Sequence, residues 1–156
     1  MTVDWAMLCD AATVREGLGN ILGAGIDTLP SVPREIAPPE MFQNADPKAV
    51  GTPVVFTVMI KFSMQRAEAN RTHILELKVS DEDGAEVLGT KGQFYIPVNP
   101  TLPAGWLQSG MVPITAQILP KKFGGYAVDI FVDDQHLKNL QFRINKATLP
   151  NPLPPT

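Results

Sequence analysis

Every second residue from Val54 to Met64 is apolar, so Val54, Phe56, Val58, Ile60, Phe62 and Met64 share one face of an extended chain. In residues 72–80 the apolar Leu75, Leu77 and Val79 alternate with Glu76, Lys78 and Ser80. A period of two in β-branched and aromatic residues marks half-buried strands. Residues 53–80 therefore predict two paired strands at the centre of the fold, joined through residues 65–71.

The same alternation recurs along the chain. Residues 3–10 predict a first strand with Trp5, Met7 and Cys9 on one face, and residues 11–17 a connection turning at Arg15, Glu16 and Gly17. Residues 18–28 predict a return strand with Leu18, Leu22, Ala24 and Ile26 on one face and Gly19, Gly23 and Gly25 on the other. Glycine inside a strand marks a bulge or the close approach of another backbone. A phosphate cradle would need P-loop or dinucleotide spacing followed by a helix, and neither is present. Asp81, Glu82, Asp83 and Gly84 read as a turn, because the terminal glutamate and flanking helices of a calcium loop are missing.

Further strands are predicted over residues 85–98, with Phe94, Ile96 and Val98 inward, and over residues 111–119. A strand over 126–132 follows, antiparallel to 111–119, and a last one places Leu140, Phe142 and Ile144 inward. No segment carries a strong helical period. The predicted fold is all-β: an antiparallel β-sandwich, immunoglobulin-like or similar, of seven to eight strands with long Pro-rich loops. One domain spans residues 1–148, followed by a Pro-rich tail at 149–156.

Proline shapes the connections. Residues 29–53 hold six of the fifteen prolines, which argues against a regular strand there, since proline removes a ladder donor. A helical turn is expected at Pro39, Glu40, Met41 and Phe42, with Met41 and Phe42 anchoring a loop that covers a sheet. Residues 99–106 form a second Pro-rich loop ending at Trp106. That side chain has two readings: packing over a sheet end, or standing exposed as a contact anchor. The tail at 149–156 reads as an extended, polyproline-like segment.

Composition narrows the function classes. The chain has 156 residues, 44% hydrophobic and 19% charged, with a net charge of −3; a domain of that length buries roughly two-thirds of its surface. Lys121 and Lys122 are the only adjacent basic pair, too little for a nucleic-acid footprint. No basic amphipathic helix or long apolar run points to a membrane. The opening Met1-Thr2-Val3-Asp4 carries no secretory signal pattern. With the single Cys9, the expected location is cytoplasmic, though a virion or other assembly would have the same composition.

Candidate chemistry is sparse. His73 falls in phase with Leu75, Leu77 and Val79 and is expected to be a partly buried strand-end residue making one hydrogen bond, while His136 follows the Asp133-Asp134 turn. No spacing of histidine or cysteine builds a metal site, and no cofactor motif is present. Cys9 reads as a small buried hydrophobe. No catalytic constellation is singled out, so no enzymatic activity is expected.

The run from Asp4 to Asp10, the return through Gly19-Asn20-Ile21-Leu22-Gly23, the Asp81–Gly84 turn and the closing strand from Gly124 to Asp133 together resemble a family of small bacterial proteins of unknown function. The resemblance runs from about Asp4 to Ile144. It implies a β-sandwich domain and transfers no catalytic residue.

The leading expectation is a non-enzymatic protein–protein interaction or assembly module that self-associates, since sheet edges need covering or pairing. The alternative is a small-ligand or carbohydrate-binding β-sandwich using Trp106 and Phe123 on adjacent loops. The candidate contact residues are Trp106, Phe123, His73, Met41 and Phe42.

Overall fold

The computed structural model describes residues 1–148, and the Pro-rich tail expected at 149–156 lies outside the described residues. Ten strands run in order among the described residues: β1 (Thr2–Cys9), β2 (Ala11–Arg15), β3 (Leu18–Leu22), β4 (Thr28–Ser31), β5 (Val54–Met64), β6 (Thr72–Asp81), β7 (Glu86–Tyr95), β8 (Gln108–Ile118), β9 (Gly124–Val132) and β10 (Gln135–Lys146). Eight of them form a β-sandwich: a three-stranded sheet in the order β1-β5-β8 faces a five-stranded sheet in the order β4-β10-β9-β6-β7. Strands β2 and β3 form a separate hairpin.

The apolar rows of the sequence meet in the gap between the sheets. Phe56, Val58, Ile60 and Phe62 of β5 are fully buried against Leu77 and Val79 of β6, Val128 and Ile130 of β9 and Ile144 of β10. Aromatic contacts tie the layers together. Phe62 stacks on Phe94 at 5.1 Å, and Phe56 meets Phe142 at 5.3 Å.

The predicted pairing of the two central strands is not what forms. Strand β5 pairs with β1 and β8, while β6 pairs with β7 and β9, in the opposite sheet. The expected pairing of residues 111–119 with 126–132 fails in the same way, because β8 and β9 also lie in different sheets. Each of these strands carries a continuous apolar row. Edge-to-edge pairing would leave two such rows side by side and uncovered, whereas stacking buries one against the other. Residues 65–71 and 119–123 are long enough to cross the roughly 10 Å between packed sheets. True hairpins occur where the turn is tight. Glu16 (φ 52°) and Gly17 (φ 77°) join β2 to β3, and Asp133 (φ 49°) and Asp134 (φ 65°) join β9 to β10. Successive positive φ values give the primed turn whose twist matches the flanking strands.

The N-terminal region also departs from expectation. The predicted connection at 11–17 is itself strand β2, and it pairs with β3, while β1 joins β5. The face of β3 is the reverse of that predicted: Leu18 and Leu22 are exposed, and Gly19 and Ile21 turn inward. The reason is close approach. A Cβ on Gly19 would lie 2.7 Å from both the Met59 methyl and the Met111 sulfur, so the hairpin rests on the outer face of the three-stranded sheet at the glycine. Its cover leaves Met59 and Thr57 buried on the face of β5 read as outward.

Within the Pro-rich stretch, β4 forms a parallel pair with β10 despite Pro30. It is an edge strand, where a residue without an N–H is tolerated. The helical turn at Pro39–Phe42 forms as a 3₁₀ turn. Phe42 anchors it in a small cluster with Ala37 and Ala49, but Met41 points outward.

Candidate functional site

Two ends of the sandwich divide the residues singled out in the sequence. At one end β5, β7 and β9 finish and β6, β8 and β10 begin; His73 and Trp106 lie there. At the other lie Phe123, Met41 and Phe42, where Val50 N–H donates to the Pro120 carbonyl at 2.9 Å. The eleven residues of β8 separate the Trp106 loop from the Phe123 turn, a distance of roughly 35 Å at the rise of a strand. Trp106 and Phe123 therefore do not stand on adjacent loops. Phe123 is only partly exposed and packs against the main core, with the Lys146 ammonium 5.5 Å from its ring centre.

His73 is 1% exposed and makes two hydrogen bonds, not one. Nδ1 faces the Asp133 carboxylate at 2.8 Å and Nε2 the Glu68 carbonyl at 2.7 Å, while Phe94 stacks on the ring at 5.3 Å. Burial pushes the Asp133 carboxyl up. The Ile74 N–H and His73, with Arg71 beyond, more than offset this and hold it below its ordinary value. With both nitrogens engaged and the ring enclosed, His73 locks the start of β6 to the β9–β10 turn and presents no atom to a partner. Phe42, 6% exposed, is likewise unable to make an intermolecular contact. His73 is buried in the inward row of β6, and Phe42 in the small cluster with Ala37 and Ala49.

Trp106 is different. It is 64% exposed, beside the half-exposed Leu107 and Tyr95. The loop that carries it is firmly held. The buried Gln108 amide accepts from Asn99 N–H at 2.9 Å and donates to the Pro97 carbonyl. The Asn99 side chain accepts from the Thr101 N–H at 3.0 Å and hydroxyl at 2.7 Å. Arg66 reaches the Asn99 and Pro100 carbonyls. A final turn runs from Pro103 to Trp106, closed by a 3.2 Å hydrogen bond and with Gly105 at φ 85°. Glycine at that turn position is the type II arrangement. Trp106 is thus held outward by backbone geometry.

Beside it opens a cavity of about 410 Å³ lined by Val14, Tyr95, Leu102, Leu107, Gln108 and Met111 among others. Leu102 and Gln108 also line the small recess under Trp106. The sequence reading missed Tyr95 and Leu107. Tyr95 had a visible signal, as an aromatic in the outward row opposite Phe94 and Ile96. Leu107 had none, because only the fold brings the start of β8 beside the end of β7.

A family of unknown function, DUF6941, matches residues 48–145. The chain belongs to that family. The match covers β5 to most of β10 and leaves the opening strands, which carried part of the resemblance in the sequence, outside it. No curated protein matches the chain. Among solved structures, an immunoglobulin-like protein from Pseudomonas aeruginosa is 13% identical over 92% of this chain and 95% of that one, with a TM-score of 0.36. A likeness that slight carries no functional argument.

A second concavity, of about 570 Å³, lies between the edge at Asp27 and Thr28 and the Asp81-Glu82 turn, with Tyr126 and Arg143 between. The two acids of the turn are engaged. Asp81 accepts from the Asp83 and Ala85 N–H groups at 3.0 Å each and meets Lys122 at 3.4 Å, and Glu82 accepts from Gly125 N–H at 3.3 Å. No group of three metal-ligating side chains occurs among the described residues, and no helix there is long and apolar enough to cross a membrane.

Proposed function

We propose that this chain is a non-enzymatic protein–protein interaction or assembly module, working in the cytoplasm, whose foremost partner is a second copy of itself. One observation carries the reading. Tyr95, Trp106 and Leu107 stand exposed around an apolar cavity on a loop pinned by Gln108 and Asn99. Aromatic anchors at a pre-organised surface are the groups that supply most binding energy in protein interfaces, and holding them outward before binding lowers the ordering cost. Light scattering across a concentration range tests it. Self-association weakened by Leu107→Glu supports the module; a strict monomer at high concentration overturns it.

The cavity favours a second reading, a small-ligand or carbohydrate-binding sandwich. Its volume of about 410 Å³ falls in the range of about 300–1,000 Å³ seen for ligand sites, and Tyr95 and Trp106 offer flat apolar faces beside the Asn99 and Gln108 amides. A ligand screen by thermal shift separates the two: a melting shift that Trp106→Ala abolishes favours the ligand reading.

A further inference from the structure

We propose that Met111 is a site of reversible oxidation, and that its sulfoxide releases the β2–β3 hairpin from the outer face of the three-stranded sheet. The inference goes beyond the binding reading and does not rest on it. The hairpin is paired to neither sheet of the sandwich. Its base is tied down: Asp10 N–H donates to the Leu22 carbonyl at 3.0 Å, and the Gly25 and Ile26 N–H groups donate to the Leu8 carbonyl at 3.0 and 3.1 Å. Toward its tip, Val14 and Gly19 pair with each other and turn inward. There a Cβ on Gly19 would lie 2.7 Å from the Met111 sulfur and 2.7 Å from the Met59 methyl. The Met111 sulfur therefore fills the space directly under the hairpin backbone. A two-stranded hairpin is marginally stable by itself, so this contact helps to hold it down.

Access singles out one of the two sulfurs. Met59 is fully buried, whereas Met111 is partly exposed. Met111 also lines the cavity of about 410 Å³, together with Val14 and Gly17 of the hairpin, and a hydroperoxide reaches it from that side. A sulfur lone pair attacks one peroxide oxygen, and the S–O bond forms as the O–O bond breaks. For hydrogen peroxide, the departing hydroxide takes the proton of the transferred oxygen and leaves as water. The thioether is oxidised by two electrons and the peroxide is reduced. The product is a larger, polar and chiral side chain. Against Gly19 and the Met59 methyl the added oxygen finds no room, and a buried polar atom without a partner is costly. Swinging the hairpin tip outward about its tied base relieves the overlap and hydrates the sulfoxide. Methionine sulfoxide reductases return the thioether, which makes the release reversible.

The test treats the full chain with hydrogen peroxide and follows each methionine by peptide mass spectrometry. Met111 should oxidise along with Met41, which is 52% exposed, and Met59 only after Met111 has reacted. Amide hydrogen exchange across β2 and β3 should then speed up about tenfold or more while β6 and β9 stay protected. A sulfoxide reductase should restore the slow exchange. Met111→Leu keeps the apolar volume and cannot be oxidised, so its hairpin should stay protected in peroxide although Met41 still reacts. If Met111 remains reduced while Met41 is oxidised, the site is overturned. If the Met111 sulfoxide forms and hairpin exchange is unchanged, or both sheets loosen together, the release is overturned. Peroxide-induced opening of the hairpin in Met111→Leu overturns it as well. All of these readouts hold for a monomer, so the self-association reading stands or falls separately.

Discussion

The Asp133 carboxylate lies 2.8 Å from Nδ1 of the buried His73 and also accepts the Ile74 N–H at 3.0 Å, so one side chain fastens the β9–β10 turn to the start of β6. Asp133 sits at φ 49°, a backbone region that asparagine tolerates at least as well as aspartate. Asp133→Asn therefore removes the charge without straining the turn. It is expected to cost about 1–3 kcal/mol, the range for weakening a charge-assisted hydrogen bond to a buried partner. Denaturant unfolding measures it, and a change below about 0.5 kcal/mol, the scale of an ordinary surface substitution, would refute the fastening role.

The same carboxylate gives a pH dependence. Its pKa is lowered in the fold, so the stabilisation it contributes is present above the unfolded-state value of about 3.9 and is lost as pH falls through the lower folded-state value. Glu68, also lowered, acts in the same direction. Stability is expected to decline with acid below about pH 5. The decline should be shallower in Asp133→Asn. Parallel acid profiles for the two proteins would exclude Asp133 as a contributor.

Gly19 predicts a graded response. Its neighbours are the ends of two methionine side chains, which can move. Gly19→Ala is expected to cost about 1 kcal/mol and Gly19→Val up to about 3 kcal/mol, the range for overpacking a filled contact. Amide hydrogen exchange should speed up across β2 and β3 before the rest of the sandwich is affected. Uniform loosening of both sheets would show that the hairpin is not a separate layer.

Cys9 is fully buried, and burial, with Asp10 nearby, raises the pKa of its thiol. Since the thiolate is the reactive form, the native protein at neutral pH should resist a thiol-specific reagent and react promptly in denaturant. Rapid labelling of the folded chain would place Cys9 in an opening region instead.

Trp106 and Phe62 separate surface from core. Trp106→Ala should leave stability within about 0.5 kcal/mol of wild type. Phe62→Ala, which empties a fully buried site stacked on Phe94, should cost about 3–5 kcal/mol. Comparable losses in the two variants would contradict the outward placement of Trp106.

Much of this molecule follows from local pattern. Alternation in residues 54–64 and 72–80 identified strands and their inward rows correctly, because a period of two is set by backbone geometry alone. The Asp81–Gly84 turn, the 3₁₀ turn at Pro39–Phe42 and the burial of Cys9 were equally legible, each from the preferences of a few adjacent residues. Partnership was not. Whether β5 lies beside β6 or opposite it depends on how two apolar rows are covered, which no window of the sequence contains. The inverted face of β3 turned on Met59 and Met111, which are remote in sequence from Gly19 and touch it only in the fold.

The sequence by itself determined that this is an all-β chain of half-buried strands with Pro-rich connections, because strand formation and proline's missing donor act within a few residues. Only the tertiary structure decided which strands share a sheet, which of the candidate residues are enclosed and which stand free. His73 was drawn inward by the row of β6, and Phe42 by its cluster with Ala37 and Ala49. Trp106 was turned outward by Gly105, and Tyr95 and Leu107 became one surface only when the end of β7 met the start of β8.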